Sequence, residues 1–148
     1  MAIATRTAET TWEGPLASGG GQIRLGTGAV GTLPVTWASR TETPDGKTSP
    51  EELAAAAHSS CYAMALALRL GERTTAPQRL SISATVTLDE VNGAPTIVSS
   101  QIRVGARVPG LDETGFQAAV NEASELCPVS RLFAGAKITV EAALEPAA

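Results

Sequence analysis

Two cysteines carry the chemistry that can be read directly from this chain. Cys61 closes the run Ser49-Pro50-Glu51-Glu52-Leu53, four alanines, His58-Ser59-Ser60-Cys61. Cys127 lies in Leu126-Cys127-Pro128-Val129-Ser130. With only 2 cysteines and 1 histidine, the chain has too few for a disulfide scaffold and lacks the spacing of a structural zinc site. A multi-histidine metal site is impossible within one copy. What remains is thiol chemistry, or two buried cysteines that are chemically idle.

Several neighbours bear on that choice. His58 precedes Cys61 by one helical turn, so on a helix the two side chains are neighbours. The imidazole could hold a thiolate as an ion pair, position a proton, or simply pack in an interior helix against a backbone carbonyl. Glu51 lies about 15 Å from Cys61 along one straight helix. The two can share a site if the helix breaks near residues 57–59, or if a long side chain such as an arginine holds the carboxylate and also faces the thiolate. Otherwise Glu51 and Glu52 only cap the helix. Cys127 is either a resolving cysteine with access to a sulfenic acid on Cys61 or a small buried hydrophobe.

The elements that must position these residues alternate between strand-rich and helical stretches. Residues 7–13 read as a first strand, ended by Gly14-Pro15. Ser18-Gly19-Gly20-Gly21 reads as a flexible turn. Residues 22–25 and 33–40 read as the next two strands, the latter with Leu33, Val35 and Trp37 alternating against Thr36 and Ala38. Thr43-Pro44-Asp45-Gly46-Lys47 is a loop. A helix starts at Ser49, with Ser49 as N-cap, Pro50 at N1 and Glu52 completing a capping box. It runs to about Leu70, with Gly71 as C-cap. Being apolar on nearly every face, this helix is expected to be buried, with a second subunit helping to cover it.

Residues 80–88 alternate strictly, Asn92-Gly93 signals a hairpin, and 96–108 is the partner strand, with Ile102, Val104, Ala106 and Val108 on one face. A second helix, capped by Asp112 or Thr114, runs to about Leu126 with Phe116, Ala119, Val120 and Ala123 inward. Pro128 stops it or begins another turn. Residues 137–144 form the last strand. One α+β domain over 1–148, two helices against antiparallel strands, accounts for the pattern.

Composition narrows the function. The chain has 148 residues, 43% of them hydrophobic, and a net charge of −4, which suits a single domain with a core. No basic cluster invites nucleic acid or an anionic membrane surface. The longest apolar run, 62–68, is far short of a membrane span. The N-terminus shows no basic flank followed by an apolar stretch, so a reducing cytoplasm is the expected compartment. There a cysteine pair is expected to be transient and catalytic.

Ser49-Pro50-Glu51-Glu52-Leu53 with Ala56-Ala57-His58 and Cys61 resembles the signature of the OsmC/Ohr family, the osmotically inducible protein C and organic hydroperoxide resistance proteins. Cys127-Pro128-Val129-Ser130 resembles that family's second-cysteine motif, and Trp12-Glu13-Gly14 and Val108-Pro109-Gly110-Leu111 fit the same order of elements. The resemblance implies an intertwined homodimer of α+β subunits, antiparallel sheets enclosing central helices, with two active sites at the subunit interface. It implies thiol-based reduction of organic hydroperoxides, with Cys61 as the peroxidatic cysteine, Cys127 as the resolving cysteine and Glu51 as the site carboxylate. The OsmC branch places its arginine after the third strand, matching Arg40. The Ohr branch places it in the N-terminal glycine-rich segment, here Gly19-Gly20-Gly21-Gln22, where Arg24 is the alternative. Arg40 with His58 puts the chain nearer OsmC. No bound cofactor is implied; an external dithiol, of lipoyl type or on a lipoylated protein, would restore the thiols. The rival readings are a redox sensor or a small-ligand binding dimer that is oxidised without turnover, and a structural dimer with unreactive cysteines.

Overall fold

The computed structural model describes residues 1–73 and 76–146, and the chain falls into two compact units, Met1–Leu53 and Ala54–Ala148. In the first, β1 (Ala8–Glu13), β2 (Gly20–Leu25) and β3 (Leu33–Val35) form an antiparallel sheet in that order. Gly20 and Gly21, expected in a flexible turn, belong to β2. Gly21 pairs with both Trp12 and Val35. A Cβ there would lie 2.9 Å from the Trp12 ring and 3.0 Å from Val35, so the close crossing requires glycine.

The strand expected over 33–40 stops at Val35, and a short helix, α1 (Trp37–Thr41), follows. A capping box overrides the alternation. Thr36 Oγ1 accepts from Ser39 N and Ser39 Oγ accepts from Thr36 N, which satisfies two donors that a strand would have left to a partner. Ser39 Oγ also donates to Thr48 O at 2.8 Å, tying α1 to the segment before the next helix. Asp45 and Gly46, both at positive φ, turn the intervening loop.

Helix α2 (Pro50–Arg73) crosses from the first unit into the second without a break. Ser49 Oγ caps it by accepting from Glu52 N. The Glu52 carboxylate, expected to complete the box, instead accepts from Thr48 Oγ1 at 2.6 Å. The helix runs past Gly71, which does not cap it.

In the second unit, β4 (Arg79–Val91) and β5 (Ala94–Arg107) form a long antiparallel hairpin. Its turn is Asn92-Gly93, both at positive φ, as a tight two-residue turn needs. After β5 come α3 (Glu113–Leu126), capped by Asp112 Oδ1, the five-residue α4 (Pro128–Leu132), and β6 (Lys137–Leu144). β6 pairs with β5 in parallel, so this sheet is mixed where antiparallel strands were expected. The helices between β5 and β6 provide the crossover that parallel pairing needs.

The core of this unit is Tyr62, Leu66 and Leu70 of α2, Phe116, Ala119, Val120 and Ala123 of α3, and Ile102, Val104 and Ala106 of β5. Tyr62, Leu66 and Leu70 recur every four residues, so α2 presents one stripe to the core. Away from this stripe the single chain leaves large apolar side chains of α2 uncovered: Met64 is 74% and Leu68 51% exposed. By length and composition α2 is also apolar enough to cross a membrane, with only 28% of its most apolar stretch buried. The seven-residue run 62–68 understated this, because serine and histidine interrupt the run without making the helix hydrophilic.

Candidate active site

The second unit brings the two cysteines together. Cys61 sits half-buried on α2 and packs against the core cluster that contains the fully buried Cys127. Cys127 is at once the C-cap of α3 and the N-cap of α4, at φ −59°, ψ 114°. Pro128 dictates this, because a residue before proline is driven out of the helical region. The break is held on both sides: Cys127 N donates to Ala123 O at 2.9 Å and Cys127 O accepts from Arg131 N at 3.1 Å. Proline thus ends one helix and begins the next, and the cysteine between them is pinned.

The surroundings of Cys61 act on its thiol in opposite directions. Burial pushes its pKa above the ordinary value, the Val129 backbone N–H pulls it down, and the Cys127 side chain pushes it up again. The net direction is up, so these neighbours favour the neutral thiol.

His58 does not serve Cys61 directly. The ring is fully buried. Its Nδ1 lies 2.6 Å from Ser100 Oγ on β5, and its Nε2 lies 2.8 Å from Ser130 Oγ on α4. Phe133 meets the ring edge-on at 5.3 Å. Burial lowers the His58 pKa, so the ring is neutral at pH 7, against the expected ion-pair option. It bonds two serine hydroxyls where a backbone carbonyl was the packing expectation. Ser100 was not singled out from the sequence, and Ser130 only as the last residue of the second-cysteine motif, without a role. Ser100 had a signal: it shares the inward register of Ile102 and Val104, so a polar side chain faces the core and needs a partner there.

The first unit holds the charged pair. Arg40 Nε donates to Glu51 Oε1 at 2.9 Å and Oε2 at 3.2 Å, and Arg40 Nη2 donates to Oε1 at 2.7 Å. The Glu51 side chain is 9% exposed and that of Arg40 28%. Trp37, one turn earlier on α1, lies under the guanidinium at 5.8 Å, within cation–π range. Arg24, the alternative, forms a solvent-exposed pair with Glu9 at 2.9 Å. Because α2 is unbroken, a break near 57–59 does not reconcile Glu51 with Cys61. Arg40 supplies the carboxylate half of the other arrangement. Among the described residues no cluster of three His, Cys, Asp or Glu could hold a metal ion.

Comparison with known proteins converges with this geometry. Residues 43–142 match the family model described as OsmC-like protein. The chain is 35% identical over 130 residues to peroxiredoxin OsmC of Escherichia coli, covering 88% of this chain and 90% of that protein. It is 30% identical over 89 residues to the organic hydroperoxide resistance protein of Xanthomonas axonopodis pv. citri, covering 60% of this chain and 61% of that one. The organic hydroperoxide resistance protein OhrB of Bacillus subtilis superposes with a TM-score of 0.69 at 28% identity, over 94% of this chain and 98% of that one. The two cysteine motifs, the mixed α+β architecture and these likenesses agree, and the chain belongs to the OsmC-like protein family.

Proposed function

We propose that this chain is a thiol-dependent peroxidase that reduces organic hydroperoxides to alcohols through a two-cysteine cycle. The observation that carries the reading is the meeting of Cys61 and Cys127, sequence-distant thiols packed together where Pro128 opens the α3–α4 junction. The names of the OsmC and organic hydroperoxide resistance relatives support it.

In the proposed cycle the Cys61 thiolate attacks the terminal peroxide oxygen. The S–O bond forms, the O–O bond breaks, and the alkoxide takes a proton and leaves as the alcohol. Cys61 is then a sulfenic acid. Cys127 attacks its sulfur, the S–S bond forms, and the hydroxyl leaves as water with the Cys127 proton. An external dithiol of lipoyl type reduces the disulfide and is itself oxidised to its own disulfide.

The thiolate needs help, since burial and Cys127 disfavour it. We assign that help to Arg40, oriented by Glu51 through the Nε–Nη2 edge. The working form is a homodimer in the cytoplasm; the uncovered face of α2 around Met64 and Leu68 supports a second copy as its cover. The experiment is steady-state turnover of cumene or tert-butyl hydroperoxide, with hydrogen peroxide for comparison, at catalytic protein and excess dihydrolipoamide. Many turnovers per active site are expected. Oxidation once, followed by a stall, would make the chain a sensor.

A further inference from the structure

The peroxidase reading leaves one fully buried polar group without a task. His58 presents both ring nitrogens to serine hydroxyls on two different elements, Ser100 on β5 and Ser130 on α4. α4 has five residues, Pro128–Leu132, far too few to be stable by itself. Its place depends on what it touches. Its first turn carries three features of the thiol site: Cys127 as N-cap, the Val129 N–H that acts on the Cys61 sulfur, and Ser130. The residue that ends it, Phe133, rests edge-on against the same imidazole. The ring stands on α2 one turn before Cys61 and so links the helix of the peroxidatic cysteine to the short helix that begins at Cys127.

We propose that His58 is a positioning residue for the resolving step: through Ser130 it holds the first turn of α4 so that the Cys127 thiol stays against Cys61. This rests on the two-cysteine reading. A neutral imidazole suits the task, because it can donate to one serine and accept from the other without bringing a charge into the core. The ring acts on neither peroxide nor sulfur. Its effect is on the rate at which the Cys61 sulfenic acid and the Cys127 thiol condense to disulfide and water, against the competing oxidation of the sulfenic acid to sulfinic acid by a second hydroperoxide.

The test compares two variants that each remove one hydroxyl from the same ring. Ser130→Ala frees α4; Ser100→Ala leaves the α2–α4 link intact. Both are mixed with cumene hydroperoxide, quenched at intervals and mapped by mass spectrometry, with a thermal melt confirming that each is folded. A misplaced reacting group can slow a step by about 10²-fold. Ser130→Ala should form sulfenic acid within about threefold of wild type but the disulfide about tenfold more slowly, with sulfinic acid accumulating in excess hydroperoxide. Ser100→Ala should form the disulfide within about threefold of wild type, by the same reasoning. Should Ser130→Ala fail to fold, His58→Leu, which removes both bonds, must show the same selective loss. Disulfide formation at the wild-type rate in Ser130→Ala, or equal slowing in both serine variants, would overturn the proposal. Absence of a disulfide in wild type would instead overturn the cycle beneath it.

Discussion

The Arg40–Glu51 pair of the first unit and the thiol site of the second handle charge differently. In the first, Arg40 and Glu51 meet in a forked charge-assisted contact, with Trp37 beneath the guanidinium. In the second, Cys61 and His58 are both driven towards neutrality. Burial pushes Cys61 up and His58 down, and the hydrogen-bond partners of His58 are uncharged hydroxyls. The surroundings that hold the two thiols in contact are therefore poor at ionising Cys61. Burial packs the two thiols together but opposes the thiolate that attack requires. On the proposed reading the chemistry is divided among residues: Cys61 and Cys127 supply the sulfur, Arg40 and Glu51 the charge.

The largest effect should come from the sulfur itself. Cys61→Ser should consume no hydroperoxide above background, read by loss of peroxide in the presence of dithiol. Turnover that survives in Cys61→Ser would break the division at its centre.

Next comes the charge. Arg40→Ala should slow peroxide attack by about 10²-fold, the scale seen when one preorganised donor is removed from a developing charge. Alkylation of Cys61 should shift to higher pH, because the surroundings left behind push the thiol up. Stability should fall by at most about 3 kcal/mol, since Arg40 is partly exposed although Glu51 is left unpaired. An unchanged alkylation profile would move the role to Arg24 or remove it.

The smallest effect sharpens the neutral side. The folded His58 pKa lies below its ordinary 6.5 because of burial, so just below pH 6.5 the unfolded chain binds a proton that the folded chain refuses. That difference costs nothing above about pH 6.5 and destabilises the fold progressively as pH falls towards the folded pKa. His58→Gln lacks this term. It should retain measurable peroxidase activity and lose stability less steeply than wild type between pH 6.5 and 5, measured by urea unfolding. Equal slopes would place a charge partner beside the ring.

Much of this was legible from local patterns. The Asn92-Gly93 hairpin, the inward face of α3 and the Pro128 break each depend on residues adjacent in the chain, and each is found where expected. The misreadings have identifiable causes. Residues 33–40 alternate like a strand, but Thr36 and Ser39 cap each other and turn the chain into α1. The parallel entry of β6 leaves no trace in its own alternation, which is the same in either direction. The site was half legible. Cys61, Cys127 and Glu51 stood out by type and motif, Arg40 was implied only by the family resemblance, and the Arg40–Glu51 contact is present. Ser130 was hidden because its bond to His58 spans 72 residues, and no local spacing encodes such a pairing.

In the proposed cycle Cys61 is oxidised first and Cys127 resolves it. The direct measurement is titration of the fully reduced protein with one equivalent of organic hydroperoxide per chain, followed by thiol counting and peptide mass spectrometry. Both free thiols should be lost and a Cys61–Cys127 bridge formed, with Cys127→Ser stopping at an oxidised Cys61 after a first step of near-normal rate. Oxidation of Cys127 before Cys61, or consumption of the peroxide with no bridge formed, would contradict it.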